Sequence, residues 1–157
     1  MKNFIVIILL FVCAVSINSQ DNRILNFEDM MNSMKSGKIV KAVIYYGQAK
    51  MIVAGEESEE EEMGPDAIGG MKFQTWEYFA KGVVRNKLAY VSASETVLIG
   101  HPFYGYVLNY GKVRIYEDNS AEIIVRYLDP NTYEEKMDEK FLTTIFNGEK
   151  GAIHLFN

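Results

Sequence analysis

The chain has 157 residues, of which 48% are hydrophobic and 13% aromatic, with a formal net charge of −5 and a single cysteine. That length suits one domain, and the apolar fraction is large enough for a buried core. The negative charge argues against binding nucleic acid or an acidic membrane surface.

Lys2 is followed by an apolar run from Phe4 to Val15, and then by small and polar residues in which Ser16 or Ser19 precedes a cleavage point. This is the pattern of a secretory signal, and it predicts a signal peptide over residues 1–19. The run is shorter than the roughly 20 apolar residues that span a bilayer. A single domain, secreted and extracellular, is therefore expected over residues 20–157, with no membrane span. Cys13 lies inside the signal. The mature chain is expected to contain no disulfide and no thiolate.

Phe27, Met30, Met31 and Met34 recur at helical spacing behind Asn26, a good N-cap, and ahead of Gly37, a good C-terminal stop. They predict one short amphipathic helix over residues 27–36, docked on a sheet. Lys38 to Tyr46 reads as a strand with Val40, Ala42 and Ile44 on one face. Met51 to Ala54 is a second short run, joined to the first by a hairpin or bulge at Gly47-Gln48.

Residues 55–70 form an acidic loop. Glu56 to Glu62 holds six glutamates broken only by Ser58, and Gly64-Pro65 and Gly69-Gly70 follow. Such a run repels itself and stays solvated. Carboxylates are hard ligands for calcium, but the run lacks the spaced acids and fixed glycine of a calcium loop. No metal site is expected. Glu59, Glu60, Glu61 and Glu62 are instead candidate contact residues.

Met71 to Phe79 reads as one strand carrying Trp76. Large aromatics are mostly core, but Trp76 is also a candidate platform for a ligand. Two short strands, Leu88 to Val91 and Thr96 to Ile99, are expected to be joined near Ser92–Glu95. Gly100 to Gly105 is expected as a loop carrying His101, and Asn109-Tyr110-Gly111 as a bend.

From Lys112 onward the alternation is strict. Val113 and Ile115 lie between Lys112, Arg114 and Tyr116. Ala121, Ile123, Val125 and Tyr127 share a face opposite Glu122 and Arg126. Glu117–Ser120 and Asp129-Pro130-Asn131-Thr132 are turns. A third strand follows over Tyr133–Met137. Phe141–Phe146 is a strand or short helix, and Ala152–Phe156 is a last strand closing an edge. The fold class is mostly β: an antiparallel meander closing into a small barrel or sandwich, with one N-terminal helix.

Chemistry has few candidates. His101 and His154 stand alone, without metal-ligand spacing. Ser92, Ser94 and His101 are near one another in sequence, but no Gly-x-Ser-x-Gly elbow is present. No phosphate loop or dinucleotide fingerprint occurs, and no cofactor is expected. An aromatic-rich β domain can hold a small apolar molecule or pack solid.

The run Phe27-Glu28-Asp29-Met30-Met31 with Ser36-Gly37-Lys38-Ile39-Val40-Lys41 resembles the opening of VirK-like proteins. So do Ala67-Ile68-Gly69-Gly70-Met71, Gly105-Tyr106-Val107 and Leu128-Asp129-Pro130-Asn131-Thr132-Tyr133. The resemblance implies a secreted or periplasmic protein and carries no catalytic residue over. Some such proteins place a cysteine where this chain has Gln48-Ala49-Lys50, so a redox role is not implied here. The expected function is a secreted, non-enzymatic binding protein, monomeric, whose partner is an extracellular protein or a small apolar ligand. A secreted effector or toxin-like component, and a hydrolase built on His101, are the alternatives.

Overall fold

The computed structural model describes residues 22–52 and 62–157. Residues 1–21, which include the expected signal segment, and residues 53–61, which include most of the glutamate run, lie outside the described residues. Among the described residues, ten strands and one α-helix follow in chain order. They are β1 (Arg23–Ile24), α1 (Phe27–Lys35), β2 (Lys41–Tyr45), β3 (Lys50–Ile52), β4 (Ile68–Lys72), β5 (Trp76–Phe79), β6 (Tyr90–His101), β7 (Gly105–Tyr116), β8 (Ser120–Leu128), β9 (Glu135–Thr144) and β10 (Ile153–Phe156). They form two antiparallel sheets. One has the order β1-β10-β2-β4, the other β3-β9-β8-β7-β6-β5.

The sheets pack face to face as a sandwich, not as the closed barrel that was the other expectation. Each keeps its own edges, because the chain crosses between sheets at short corners instead of continuing the hydrogen-bond ladder. The helical turn Tyr46–Gln48 carries the chain from β2 to β3, so Gly47-Gln48 is a corner and not a hairpin. Phe73, 2% exposed, sits at the crossing from β4 to β5. The expected single strand Met71–Phe79 is thus two strands in two sheets. Both sheets bury residues in the same interior, and the phase of the alternation shifts at the corner: Phe73 and Trp76, three residues apart, both pack on the core.

The core is built from the inward residues of both sheets. Ala42, Ile44, Ile153 and Leu155 of the smaller sheet meet Val91, Ala93, Val113, Ile115, Ile123 and Phe141 of the larger. Register aligns them in rows: Ala93 opposes Val113, Val113 opposes Ile123, and Ile123 opposes Phe141. Each row places side chains of adjacent strands about 5 Å apart on one face.

Helix α1 closes one end, with Met30, Met31 and Met34 buried in the same core. Its cap is complete. Asn26 Oδ1 accepts from the Asp29 N–H at 2.9 Å. At the other end Gly37, at φ +83°, donates to Met34 O, and Lys38 N–H donates to Ser33 O. That pair of bonds satisfies orphan carbonyls as a Schellman motif does. Asn119 in the β7–β8 turn accepts from Phe27 N–H at 2.7 Å, which ties the helix to the larger sheet.

Several strands are longer than expected. Ser92–Glu95 is not a joint, and β6 runs unbroken from Tyr90 to His101. The small polar residues Ser92 and Ser94 are its outward positions. Asn109-Tyr110-Gly111 lies within continuous β7, and the irregularity in register falls at Tyr127/Leu128 instead. The expected strand Tyr133–Met137 and the expected strand or short helix Phe141–Phe146 largely merge into one strand, β9. The final strand is not an edge, since β10 lies between β1 and β2.

Candidate functional site

Strands β6 and β7 are 12 residues long, whereas those of the smaller sheet have at most 5. The larger sheet therefore projects beyond the smaller one. Where the sheets overlap, its inner face is apolar. Past the overlap the same face changes character. Following Val113 and Ile123, the inward positions become Gly111 and Asn109 on β7, Val125 and Tyr127 on β8, and Glu139 and Met137 on β9.

This projecting face and the free side of β4 enclose a cleft of two adjoining hollows, of about 190 and 440 Å³. Tyr46, Gly69, Asn109 and Val125 line both. Tyr46 comes from the corner after β2, and its ring tilts against Phe141 at a centroid distance of 4.9 Å. Gly69 makes room for it. A Cβ at Gly69 would lie 2.9 Å from Tyr46 Cε2 and 3.0 Å from its hydroxyl. Burial, and then the neighbouring Tyr127 and Glu139, push the Tyr46 phenol above its ordinary range. It therefore remains a neutral donor and acceptor at physiological pH.

The far end of the cleft is closed by aromatics. His101, the last residue of β6, lines the larger hollow. Its ring stacks on Tyr104 at 4.7 Å and tilts against Tyr127 at 5.0 Å. His101 Nδ1 accepts from the N–H groups of Phe103 and Tyr104, each at 3.3 Å, and so organises the β6–β7 turn. Ser92 and Ser94 lie on the opposite face of β6 from His101, about 30 and 23 Å along the strand at 3.3 Å per residue. The geometry does not bring those three into a nucleophile–base pair.

Of the acidic candidates, Glu59, Glu60 and Glu61 lie outside the described residues. Glu62 is exposed, and its carbonyl accepts from Met51 N–H at 2.8 Å. Trp76 is half-buried and packs against the core. It does not line the cleft. Among the described residues no three His, Cys, Asp or Glu side chains group at metal-binding distance, and no helix is long and apolar enough to cross a membrane. Sequence reasoning missed Tyr46, Asn109 and Glu139. Asn109 carried a usable signal, since it interrupts the inward series Val107, Gly111, Val113 with an amide.

The family model of the VirK protein matches residues 23–133. A crystal structure of a VirK family protein from Legionella pneumophila is similar to this chain with a TM-score of 0.64 at 15% sequence identity. The match covers 86% of this chain and 98% of that one. At that identity the likeness is one of fold. No curated protein matches the chain.

Proposed function

The chain belongs to the VirK family, and we propose that it acts there as a secreted, non-enzymatic, monomeric protein that holds a small, largely apolar molecule between its two sheets. One observation carries this reading: the inner face of the larger sheet continues past the smaller sheet and turns from apolar to mixed. Val97, Val125 and Met137 offer apolar surface there. Tyr46, Asn109 and Glu139 offer a few placed polar groups. Binding sites combine those two features at volumes of roughly 300–1,000 Å³. A core packed only for stability would have no need of the polar groups, which cost free energy unless something satisfies them.

A second reading rests on the β6–β7 turn. Phe103 is 88% exposed and Tyr106 72% exposed, close together at the tip of the hairpin. Aromatics so placed suit contact with an extracellular protein.

The native mass of protein recovered from the medium of secreting cells tests both parts of the proposal. A chain beginning near Gln20 with a reproducible extra mass, released on denaturation, is the expected result. A chain retaining residues 1–19 contradicts the secretory reading. A bare mature chain removes support for a resident ligand and directs attention to the hairpin tip.

A further inference from the structure

On the outer face of the larger sheet, at the end away from the cleft opening, the segment between β5 and β6 curls over the sheet. Asn86 fixes its shape. Its Nδ2 donates to Ala80 O at 3.0 Å and Leu88 O at 2.7 Å, and its Oδ1 accepts from Val84 N–H at 3.1 Å. The hollow beneath, of about 350 Å³, is lined by Arg85, Lys87 and Arg114 together with Tyr90 and Tyr116, and by no carboxylate. That is a local reversal of sign in a chain whose net charge is −5.

Glu122, next to Arg114, is the carboxylate that pairs with it, while Glu77 lies two strands away in the same outward row. Arg114 pairs with Glu122 at 2.9 Å, but Glu122 also holds Lys140 at 2.6 Å. One carboxylate is thus shared by two cations, while Arg85 and Lys87 add charge at the rim. The Arg114 guanidinium lies 5.9 Å over the Tyr90 ring, its Nε is buried without a hydrogen-bond partner, and Tyr90 in turn faces Tyr116 at 5.6 Å. Clustered guanidinium and ammonium donors with adjacent phenols suit a tetrahedral oxyanion, and the ring faces suit an aromatic or sugar group attached to it.

We propose that this hollow is a second binding site, separate from the cleft, that takes a phosphate or sulfate monoester carried on a ring. The inference does not depend on what occupies the cleft.

The test is calorimetric titration of the full mature chain with phenyl phosphate, phenyl sulfate, inorganic phosphate and sodium chloride. The same titrations are run on the double variant Arg85→Gly with Lys87→Ala. Both positions are exposed, and glycine keeps the positive φ of 64° found at Arg85. Saturable binding of an aryl ester, weakened about tenfold or more in the variant while its melting midpoint is retained, is the expected result. Tighter binding of the aryl esters than of inorganic phosphate assigns the ring to Tyr90 and Tyr116, and a preference between the two esters tells phosphate from sulfate. No saturable binding overturns the proposal, as does binding that the variant leaves unchanged or that sodium chloride reproduces.

Discussion

Gly69 and Tyr46 set the shape of the cleft between them. The missing side chain at Gly69 is what lets the Tyr46 ring lie back against Phe141. Gly69→Ala is expected to drive that ring into the cleft, at a cost of about 1–3 kcal/mol for overpacking. Urea melts should show the loss of stability, and titration with an uncharged probe should show weaker binding. His154 makes a different kind of prediction. It stacks on Phe146 at 4.1 Å and tilts against Tyr45 at 4.8 Å. Burial, and then nearby Arg23, lower its pKa from the ordinary 6.5. The unfolded chain therefore takes up a proton at higher pH than the folded chain does. Stability is full above that ordinary value and declines as pH falls from there towards the lowered folded value. Melting midpoints followed from neutral to mildly acidic pH should fall less steeply in His154→Gln than in the parent. Equal slopes would remove His154 from the pH response.

At the scale of elements, α1 depends on its caps and on its buried methionines. A nine-residue helix is marginal by itself, so tertiary packing carries it. Asn26→Ala should cost about 1 kcal/mol through the lost cap. Phe141→Ala, at a side chain 1% exposed in the centre of β9, should cost about 3–5 kcal/mol. Denaturant midpoints of the two variants measure the ratio. Much of this layer was legible in the sequence. The inward face of β8 and the two turns around it follow from strict alternation and from turn residues whose side chains bond forward, as Asp129 does to Asn131 and Thr132. The corners were not legible. Alternation reports which residues are buried, but not which of two sheets they belong to. Phe73 looked like part of one long strand, although Phe73 and Trp76, three residues apart, both turn to the core and so mark a change of phase. Segments such as Ser92–Glu95 and Asp138–Lys140 looked like joints for a related reason: their polar residues are outward or open-end positions of long strands. Asp138, for example, pairs with Arg126 at 2.9 and 3.1 Å. The cleft was hidden for the same cause, since it arises from a mismatch in strand length between two sheets, and no local pattern encodes that.

The whole molecule is an open-ended sandwich in which a large sheet outreaches a small one. Cys13 is the only cysteine in the chain, so no disulfide can form within it. Reducing agent is expected to leave the melting midpoint of residues 20–157 unchanged, and scanning calorimetry with and without dithiothreitol checks this. The central claim is that the overhang is a binding site and not a packing defect. The most direct measurement is a fluorescence titration with N-phenyl-1-naphthylamine, an uncharged apolar probe, on residues 20–157 and on the same segment with Val97→Trp. Val97 lines the cleft and is 47% exposed, so the larger side chain fills space there without disturbing the core. Saturable enhancement in the parent, lost in a Val97→Trp variant that melts normally, is what the overhang predicts. Absence of enhancement in the parent, or equal enhancement in both proteins, would contradict it.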